Sequence, residues 1–348
     1  MTFRHRALTG AALVTAAALG LSACGSSAPA TTPGSTTAAG GGLTVYNAQH
    51  ESLTQEWVDA FTKETGIKVT VRNGGDTEMS NQIIQEGAAS PADVFLTENS
   101  PAMTQVDNAG LFAKLDAATL EQVPDQFRPS TGTWTGIAAR STVLVYDKRK
   151  LNESQLPASM LDLAKPEWKG RWAASPSGAD FQAIVSALLQ LKGEAATESW
   201  LTAMKTNSKA YKGNSTAMKA VNSGEVETAL IYHYYYFGDQ AKTGENSTNV
   251  GVHYFKNQDP GAFVSVSGGG VLKSSKNPAG AQSLVKFITS KAGQEVLQKG
   301  TSFEYPVASG VPANDKLVPL ADLQAPTVDP ATLNSAKVTD LMTKAGLL

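Results

Sequence analysis

The stretch LTVYNAQHESLTQEWVDAFTKETGIKVTV, residues 43–71, decides the fold. It begins with a short apolar strand that breaks at Asn47. A helix over 52–64 is predicted because large apolar residues recur every four positions, at Leu53, Trp57 and Phe61. Gly66 ends this helix, and a second strand follows in which apolar residues alternate with polar ones, at Ile67, Val69 and Val71. A strand, a helix and a further strand in this order predict parallel pairing.

The alternation of strands and helices continues along the chain. Further strands are predicted at 93–97, 143–146, 210–212, 227–232 and 264–273. The helices predicted between and after them cover about 79–85, 101–109, 216–223, 279–290 and 293–300. This order predicts an α/β protein with doubly wound parallel sheets, and 348 residues are enough for two lobes. In such sheets ligands bind beyond the carboxyl ends of the strands.

The first 24 residues have the pattern of an export signal. Arg4 and Arg6 precede a short apolar segment, which ends in Leu21-Ser22-Ala23-Cys24. This ending resembles a bacterial lipobox, so we expect residues 1–24 to be a lipoprotein signal peptide with lipid attached to Cys24. Residues 25–42 are small and uncharged, which predicts a flexible linker. The mature protein is therefore expected to be exported and anchored to the outer face of the cytoplasmic membrane.

Composition excludes several classes of protein. The chain has 29 Lys and Arg against 31 Asp and Glu, a formal net charge of -2, which argues against nucleic-acid binding. A single cysteine excludes an internal disulfide framework and thiolate metal cages, and only 4 histidines limit histidine-rich metal sites.

Polar side chains follow three of the predicted strands. His50 follows the first strand, Glu98 follows the third, and a run of tyrosines with His233 follows the strand at 227–231. A phenol has a pKa of about 10 and becomes a good ligand only when a strong Lewis acid displaces its proton. One carboxylate and two phenolates would balance the charge of Fe(III), and a neutral imidazole would add a further donor.

A possible anion site is visible separately. Ser175-Pro176-Ser177-Gly178-Ala179 precedes a predicted helix, whose free N–H groups can hold an anion. Asn214 and Ser215 open the next helix in a similar way. Ordinary helix capping would explain the two serines equally well.

Five motifs carry a resemblance to a known family: LTVYNAQHE (43–51), PADVFLTENS (91–100), LIYHYYYF (230–237), NQDPGAF (257–263) and VLKSS (271–275). With these motifs, nearly all of 43–306 resembles the bacterial ferric-ion-binding proteins, which are substrate-binding components of ABC-type iron importers. The resemblance implies a two-lobed periplasmic-binding-protein (type II) fold with a hinge and an interlobe cleft. It also implies that Fe(III) is bound together with a phosphate- or carbonate-like synergistic anion.

The resemblance assigns roles to particular residues. The metal ligands would be His50, Glu98, Tyr234 and Tyr235. The anion would lie against Ser177, Gly178, Ala179 and Asn214, with Asn99 and Arg140 as weaker candidates. Two alternatives stay open in the tyrosine run: the pair Tyr235 and Tyr236, or His233 as a replacement ligand.

The resemblance also implies the lobes and the partner. The chain would cross between lobes near Arg140–Thr142 and again near Val264–Val266. Lobe 1 would then hold 43–142 with about 265–315, and lobe 2 would hold 143–264 with about 316–348. The expected partner is an ABC-transporter permease, and the protein itself is expected to be a monomer.

Two other functions are weighed against iron capture. The first is a binding protein of the same fold for an organic ligand, such as a carboxylate, a polyamine or a sugar. A sugar binder would gain nothing from His50 and Glu98 beside two phenols. An exported enzyme is disfavoured because the folded part has no G-x-S-x-G motif, no H-E-x-x-H motif and no cysteine nucleophile. We therefore predict that the chain is not an enzyme.

Overall fold

The structure, a computed structural model, describes residues 41–348. The predicted signal peptide, Cys24 and all but the last two residues of the predicted linker lie outside the described residues. Within residues 41–348, no helix is both long enough and apolar enough to cross a bilayer.

The described chain contains nine strands and eleven α-helices. The strands are β1 (Leu43–Asn47), β2 (Val69–Asn73), β3 (Val94–Leu96), β4 (Trp134–Asp147), β5 (Trp172–Ala174), β6 (Ser208–Ala210), β7 (Thr228–Tyr232), β8 (Val250–His253) and β9 (Val264–Val271). The helices are α1 (Glu51–Thr65), α2 (Asp76–Glu86), α3 (Ser100–Asn108), α4 (Ala117–Leu120), α5 (Ala179–Lys192), α6 (Glu194–Asn207), α7 (Asn214–Ser223), α8 (Tyr234–Lys242), α9 (Pro278–Thr289), α10 (Lys291–Lys299) and α11 (Ser335–Lys344).

The first helix has the predicted form. Leu53, Trp57 and Phe61 of α1 are all buried, and Gly66 ends the helix with a left-handed φ of 75°. The helix prediction over 52–64 is thus confirmed within one residue at each end.

The strands pair in the order β2-β1-β3-β9-β4-β7-β5-β6, with β8 joined to β4. Parallel pairing is confirmed among β1, β2 and β3, and among β5, β6 and β7. It is wrong for β4 and β9, because β9 lies antiparallel to β3 and to β4, and β4 lies antiparallel to β7 and β8. The sheet is therefore mixed.

The long strand β4 changes partners along its length. Its first part pairs with β9 up to the pair Ser141–Val264, and its second part pairs with β7 from the pair Thr142–Tyr232 onward. All fourteen of its residues are buried. The predicted crossing near Arg140–Thr142 falls where the partners change, while the lobe boundaries themselves stay a prediction.

Apolar clusters cover both parts of the sheet. Trp57 and Phe61 belong to a cluster with β1, β3 and the helices α9 and α10. A larger cluster around Trp172 and Trp200 includes Leu341 and Met342 of α11, so the C-terminal helix packs beside α5 and α6. These clusters fix the strand ends from which the candidate site is built.

Candidate metal centre

His50 and Glu98 meet because their strands are neighbours. β1 and β3 are parallel and paired, so their carboxyl ends lie at the same edge of the sheet. His50 follows β1 and Glu98 follows β3, and His50 Nε2 lies 3.0 Å from Glu98 Oε1. Both side chains keep about a quarter of their surface exposed, at 26% and 23%. The two sequence-predicted ligands of this half are therefore adjacent and accessible.

The other ring nitrogen of His50 faces a second acid. His50 Nδ1 lies 2.9 Å from Glu304 Oε1, and Glu304 is completely buried. The Glu304 carboxylate is also paired with Arg140, and it accepts a hydrogen bond of 3.2 Å from Gln49 Nε2. Glu304 thus holds the Nδ1 side of the ring and directs Nε2 toward Glu98.

These contacts set the protonation of His50. Burial alone would lower the pKa of His50, but Glu304 and Glu98 together raise it to about 10. Burial would raise the pKa of Glu304, but the charges of Arg140 and His50 hold it down at about 2. In this form His50 is therefore a cation at neutral pH, and a metal ion must displace its proton.

The second half of the site is at the start of α8. β7 ends at Tyr232 and α8 begins at Tyr234, which turns the next two phenols toward α5. The hydroxyls of Tyr234 and Tyr235 donate hydrogen bonds of 3.2 and 3.0 Å to Asp180 Oδ2. Burial, and then the charge of Asp180, raises the pKa of both phenols well above 10, so both are protonated in this form.

The two halves are in contact. The His50 ring lies edge-on to the ring of Tyr234, with 4.8 Å between their centroids. The structure thus brings together His50, Glu98, Tyr234 and Tyr235, which are the four predicted metal ligands.

The other members of the tyrosine run have different partners. His233 is buried, and both of its ring nitrogens are used: Nδ1 accepts a hydrogen bond from the Ser141 N–H, and Nε2 lies 2.7 Å from the Phe303 carbonyl oxygen. Burial lowers the pKa of His233 to about 4, so its ring is neutral. Tyr236 packs edge-on against Phe237. These contacts favour Tyr234 and Tyr235 as the ligand pair, although the register stays a prediction.

The predicted anion residues lie at the start of α5 and α7. Gly178 caps the N-terminus of α5, and Ala179 is the first residue of that helix. Ser177 is exposed, and Asn214 is buried as the first residue of α7. The amide of Asn214 donates a hydrogen bond of 2.8 Å to Asp180 Oδ2.

The two weaker anion candidates are both buried and both bonded to acids. The amide of Asn99 donates hydrogen bonds to Asp180 Oδ1 at 3.0 Å and to Asp76 Oδ2 at 3.1 Å. Arg140 is completely buried and pairs with Glu304.

Sequence reasoning missed three acids of the site: Asp76, Asp180 and Glu304. Asp76 accepts hydrogen bonds from the backbone N–H groups of Glu98 and Asn99, and it therefore fixes the loop after β3. Burial and the neighbouring charge of Glu98 raise the pKa of Asp76 to about 8. Asp180 directly follows the predicted anion loop, so its position in the sequence could have identified it as a residue of the site. No sequence pattern around Glu304 identifies it as a residue of the site.

The donor set has a definite chemical preference. It offers one imidazole nitrogen, carboxylate oxygens and two phenol oxygens, without a thiolate. Hard oxygen donors with a single imidazole suit a small, highly charged cation better than Cu(I) or a structural Zn(II) site. Such a cation must displace protons from His50, Tyr234 and Tyr235 when it binds.

Comparison with known proteins places the chain among solute-binding proteins. Residues 89–332 match the family model described as bacterial extracellular solute-binding protein. The chain is 70% identical over 307 residues to the Fe(3+)-binding periplasmic protein of Serratia marcescens, covering 88% of this chain and 91% of that protein. It is 39% identical over 308 residues to the major ferric iron-binding protein of Neisseria meningitidis serogroup B, covering 88% and 93%.

A solved structure gives the same result. The crystal structure of iron-bound HitA from Pseudomonas aeruginosa matches with a TM-score of 0.83 and 43% sequence identity, over 88% of this chain and 99% of that chain. The match confirms the two-lobed α/β fold of the type II periplasmic-binding proteins. The matched proteins are solute-binding proteins, which confirms the prediction that the chain is not an enzyme. The chain belongs to the bacterial extracellular solute-binding protein family, and within it to the ferric-iron-binding proteins.

Proposed function

We propose that this protein captures ferric iron outside the cytoplasm and delivers it to an ABC importer. The observation that carries the proposal is the meeting of four donors: His50 Nε2 lies 3.0 Å from Glu98 Oε1, and the His50 ring packs edge-on against Tyr234. Tyr235, the neighbour of Tyr234, donates a hydrogen bond to the same Asp180 oxygen as Tyr234. The names of the relatives support the same cargo.

Charge balance favours a trivalent ion. The carboxylate of Glu98 and the phenolates of Tyr234 and Tyr235 together carry three negative charges, which equal the charge of Fe(III). His50 binds as a neutral imidazole once its proton has left. A divalent ion would leave one negative charge of these three donors unbalanced, which is unfavourable beside the buried phenol of Tyr234.

The remaining coordination positions need a further donor. The family resemblance implies a phosphate- or carbonate-like anion there, lying against Ser177, Gly178, Ala179 and Asn214. Asp180 competes with this prediction, because its carboxylate already lies at the start of α5 and already accepts the Asn214 hydrogen bond.

The proposal includes attachment to the membrane through Cys24, the single cysteine of the chain. Replacing Cys24 with Ser should release the protein from the membrane fraction without changing iron binding, because the linker separates the anchor from the folded part. Loss of iron binding in that variant would contradict the linker assignment.

The Cys24→Ser variant should sediment as a monomer, and no nucleic acid is expected to bind.

Closure of the cleft follows from the predicted lobes. His50 and Glu98 would belong to lobe 1, and Tyr234 and Tyr235 to lobe 2, so only the closed state joins all four ligands. Iron should therefore favour closure, and small-angle scattering should show a smaller radius of gyration with iron. Identical dimensions with and without iron would count against this motion.

A visible titration tests the function directly. Fe(III) bound to phenolate gives a charge-transfer band, so the purified protein should become coloured and saturate at one iron per chain. A protein that stays colourless with ferric ion at neutral pH, with or without phosphate and carbonate, would favour an organic ligand instead.

A further inference from the structure

The side chain of His233 connects two backbone segments of the site. This buried residue follows Tyr232, the last residue of β7, and precedes Tyr234, the first residue of α8. Its Nδ1 atom accepts a hydrogen bond of 3.1 Å from the Ser141 N–H, and its Nε2 atom lies 2.7 Å from the Phe303 carbonyl oxygen. The imidazole ring therefore bridges the long strand β4 and the loop that follows α10.

These two partners determine where the ring carries its hydrogen. A backbone N–H can only donate and a carbonyl oxygen can only accept, so Nδ1 carries no hydrogen and Nε2 carries one. Neither nitrogen of His233 then offers a free lone pair to a metal ion. The backbone N–H of His233 also donates a hydrogen bond of 3.0 Å to the Ser141 carbonyl oxygen. These contacts hold the first turn of α8 against β4.

The peptide group that the ring holds follows a strained residue. Phe303 has a left-handed φ of 56°, which a large side chain rarely adopts, and it is buried. Such strain persists only where the surrounding structure holds the backbone in place, and it is typical of functional sites. Among residues 41–348, the His233 ring supplies the only hydrogen bond to the Phe303 carbonyl oxygen.

The carbonyl that His233 holds belongs to the peptide bond that leads into Glu304. On the other side of Glu304, Tyr305 exchanges two backbone hydrogen bonds with Ala139 of β4, at 2.8 and 2.9 Å. Between these two anchors, the Glu304 side chain reaches His50 Nδ1 at 2.9 Å. The position of the carboxylate, and with it the orientation of the His50 ring, therefore depends on the His233 hydrogen bond.

We propose that His233 is a positioning residue of the iron site: its neutral imidazole fixes the peptide group before Glu304 and so directs Glu304 toward His50. His233 itself binds no metal. This inference rests on the proposed iron-binding function. It gives the residue next to the tyrosine pair a role in the other half of the site, so one side chain joins the two halves.

Two substitutions of His233 test this role by the rate at which excess EDTA removes iron. His233→Leu removes both ring nitrogens, so iron removal should become faster by roughly 10- to 100-fold. His233→Gln keeps one acceptor and one donor, so its rate should stay within about 3-fold of the wild type.

Asn207→Leu is the matched control for these substitutions. Asn207 is also buried, and its side-chain amide donates hydrogen bonds to the backbone carbonyl oxygens of residues 163–165. This variant should release iron at the wild-type rate even where its thermal stability falls, because none of its contacts involves a residue of the site.

A double substitution tests the route through His50. If His233 acts by way of Glu304 on His50, its effect must shrink once the His50 ring is absent. In a His50→Gln background, His233→Leu should therefore speed iron removal by less than about 3-fold. An acceleration that stays at roughly 10- to 100-fold in that background overturns the inference, and so does a wild-type rate for His233→Leu alone.

Nitrogen NMR of the wild-type protein tests the inference even if His233→Leu does not fold. Ga(III) is a diamagnetic ion with the charge of Fe(III), so the spectrum can be recorded with and without bound metal. The His233 ring should keep its hydrogen on Nε2 and show none on Nδ1 in both states. Loss of the Nε2 hydrogen on metal binding would make His233 a ligand and would overturn the inference.

The outcomes separate the inference from the function. A charge-transfer band in the wild type, together with any of the contradicting results for His233, removes only the positioning role and leaves iron binding in place. A wild-type protein that gives no band with ferric ion overturns the proposed function and the inference with it.

Discussion

The two halves of the candidate site hold their side chains by different means. The half that follows β1 and β3 is ionic: His50 lies between the carboxylates of Glu98 and Glu304, and Glu304 is paired with the buried Arg140. The half at the start of α8 is built from neutral phenols, which donate hydrogen bonds to Asp180.

The difference determines what the metal must replace. In the ionic half the imidazolium of His50 already places a positive charge beside Glu98. The arriving iron takes the place of a proton on this ring, so it brings positive charge to a position that is already positive. In the tyrosine half it must displace the protons of two phenols whose pKa is raised well above 10. Iron binding should therefore release protons from both halves, and acid should drive the metal out.

The ionic half also contributes to the stability of the fold. Glu304 and Arg140 are both completely buried, so each charge depends on the other. The tyrosine half has no such pair among the described residues, because its phenols are neutral. A substitution in the ionic half should thus affect folding and binding, whereas one in the tyrosine half should affect binding.

The largest effect is expected for Glu304→Gln. This change leaves Arg140 buried without its carboxylate, and breaking a buried pair costs about 3–5 kcal/mol of unfolding free energy. It also removes the negative charge and one of the two acceptor oxygens that hold His50 and Arg140, so His50 is oriented less well and iron affinity should fall on the order of 10- to 100-fold. Urea denaturation and an iron titration measure the two effects.

A matched surface pair serves as the control for this change. Arg171 and Glu227 form a partly exposed pair at 2.7 Å, and Glu227→Gln should cost about 1 kcal/mol or less. Equal losses of stability in Glu304→Gln and Glu227→Gln would show that the buried pair has no special role.

The next effect is on metal affinity alone. Tyr235→Phe keeps the ring and removes only the donor oxygen, so iron affinity should fall by about 100-fold or more while the melting temperature changes little. Tyr236→Phe provides the control, since Tyr236 packs against Phe237 and should bind no metal. Tyr235 belongs to both candidate pairs, Tyr234 with Tyr235 and Tyr235 with Tyr236. If Tyr235→Phe kept its iron affinity and Tyr236→Phe lost it, both pairs would be wrong and the ligands would need a different assignment.

The smallest effect, taken per pH unit, is the pH dependence of the stability of the metal-free protein. The pKa of His50 is raised from 6.5 to about 10, so its contribution to stability is full below about pH 6.5 and is lost as the pH rises toward 10. For a single titrating group, the free energy of unfolding cannot change by more than about 1.4 kcal/mol per pH unit. Denaturant midpoints measured across this window should fall with pH in the wild type.

His50→Gln removes the titrating group, so the midpoints of this variant should fall less over the same window. A decline of equal size in both proteins would assign the pH dependence to another residue.

Local patterns in the sequence predicted the elements that carry the first ligands. The apolar spacing in α1 and the short apolar strands β1 and β3 are local features, and they place His50 and Glu98 at neighbouring strand ends. Strand β4 was predicted only over 143–146, because all fourteen of its residues are buried and no polar alternation marks it. Helix α8 was not predicted, because a tyrosine run gives no helical period of apolar and polar residues.

The contacts that complete the site lie far apart in the chain. In the sequence, Arg140 is only a charged residue that interrupts an apolar strand. The fold pairs it with Glu304, which lies 164 residues later in the chain. In the sequence, Asp180 is only a residue at the start of a helix. The fold brings to it the hydroxyls of Tyr234 and Tyr235, which lie 54 and 55 residues later in the chain. No local pattern encodes such pairs, because they depend on how the sheet and helices pack.

Resonance Raman spectroscopy of the iron-loaded protein, excited in its charge-transfer band, tests the central claim most directly. Coordination by Tyr234 and Tyr235 predicts strong tyrosinate ring modes in the wild type, weaker modes in Tyr234→Phe and in Tyr235→Phe, and unchanged modes in Tyr236→Phe. An iron-loaded wild-type protein without tyrosinate modes would contradict the account.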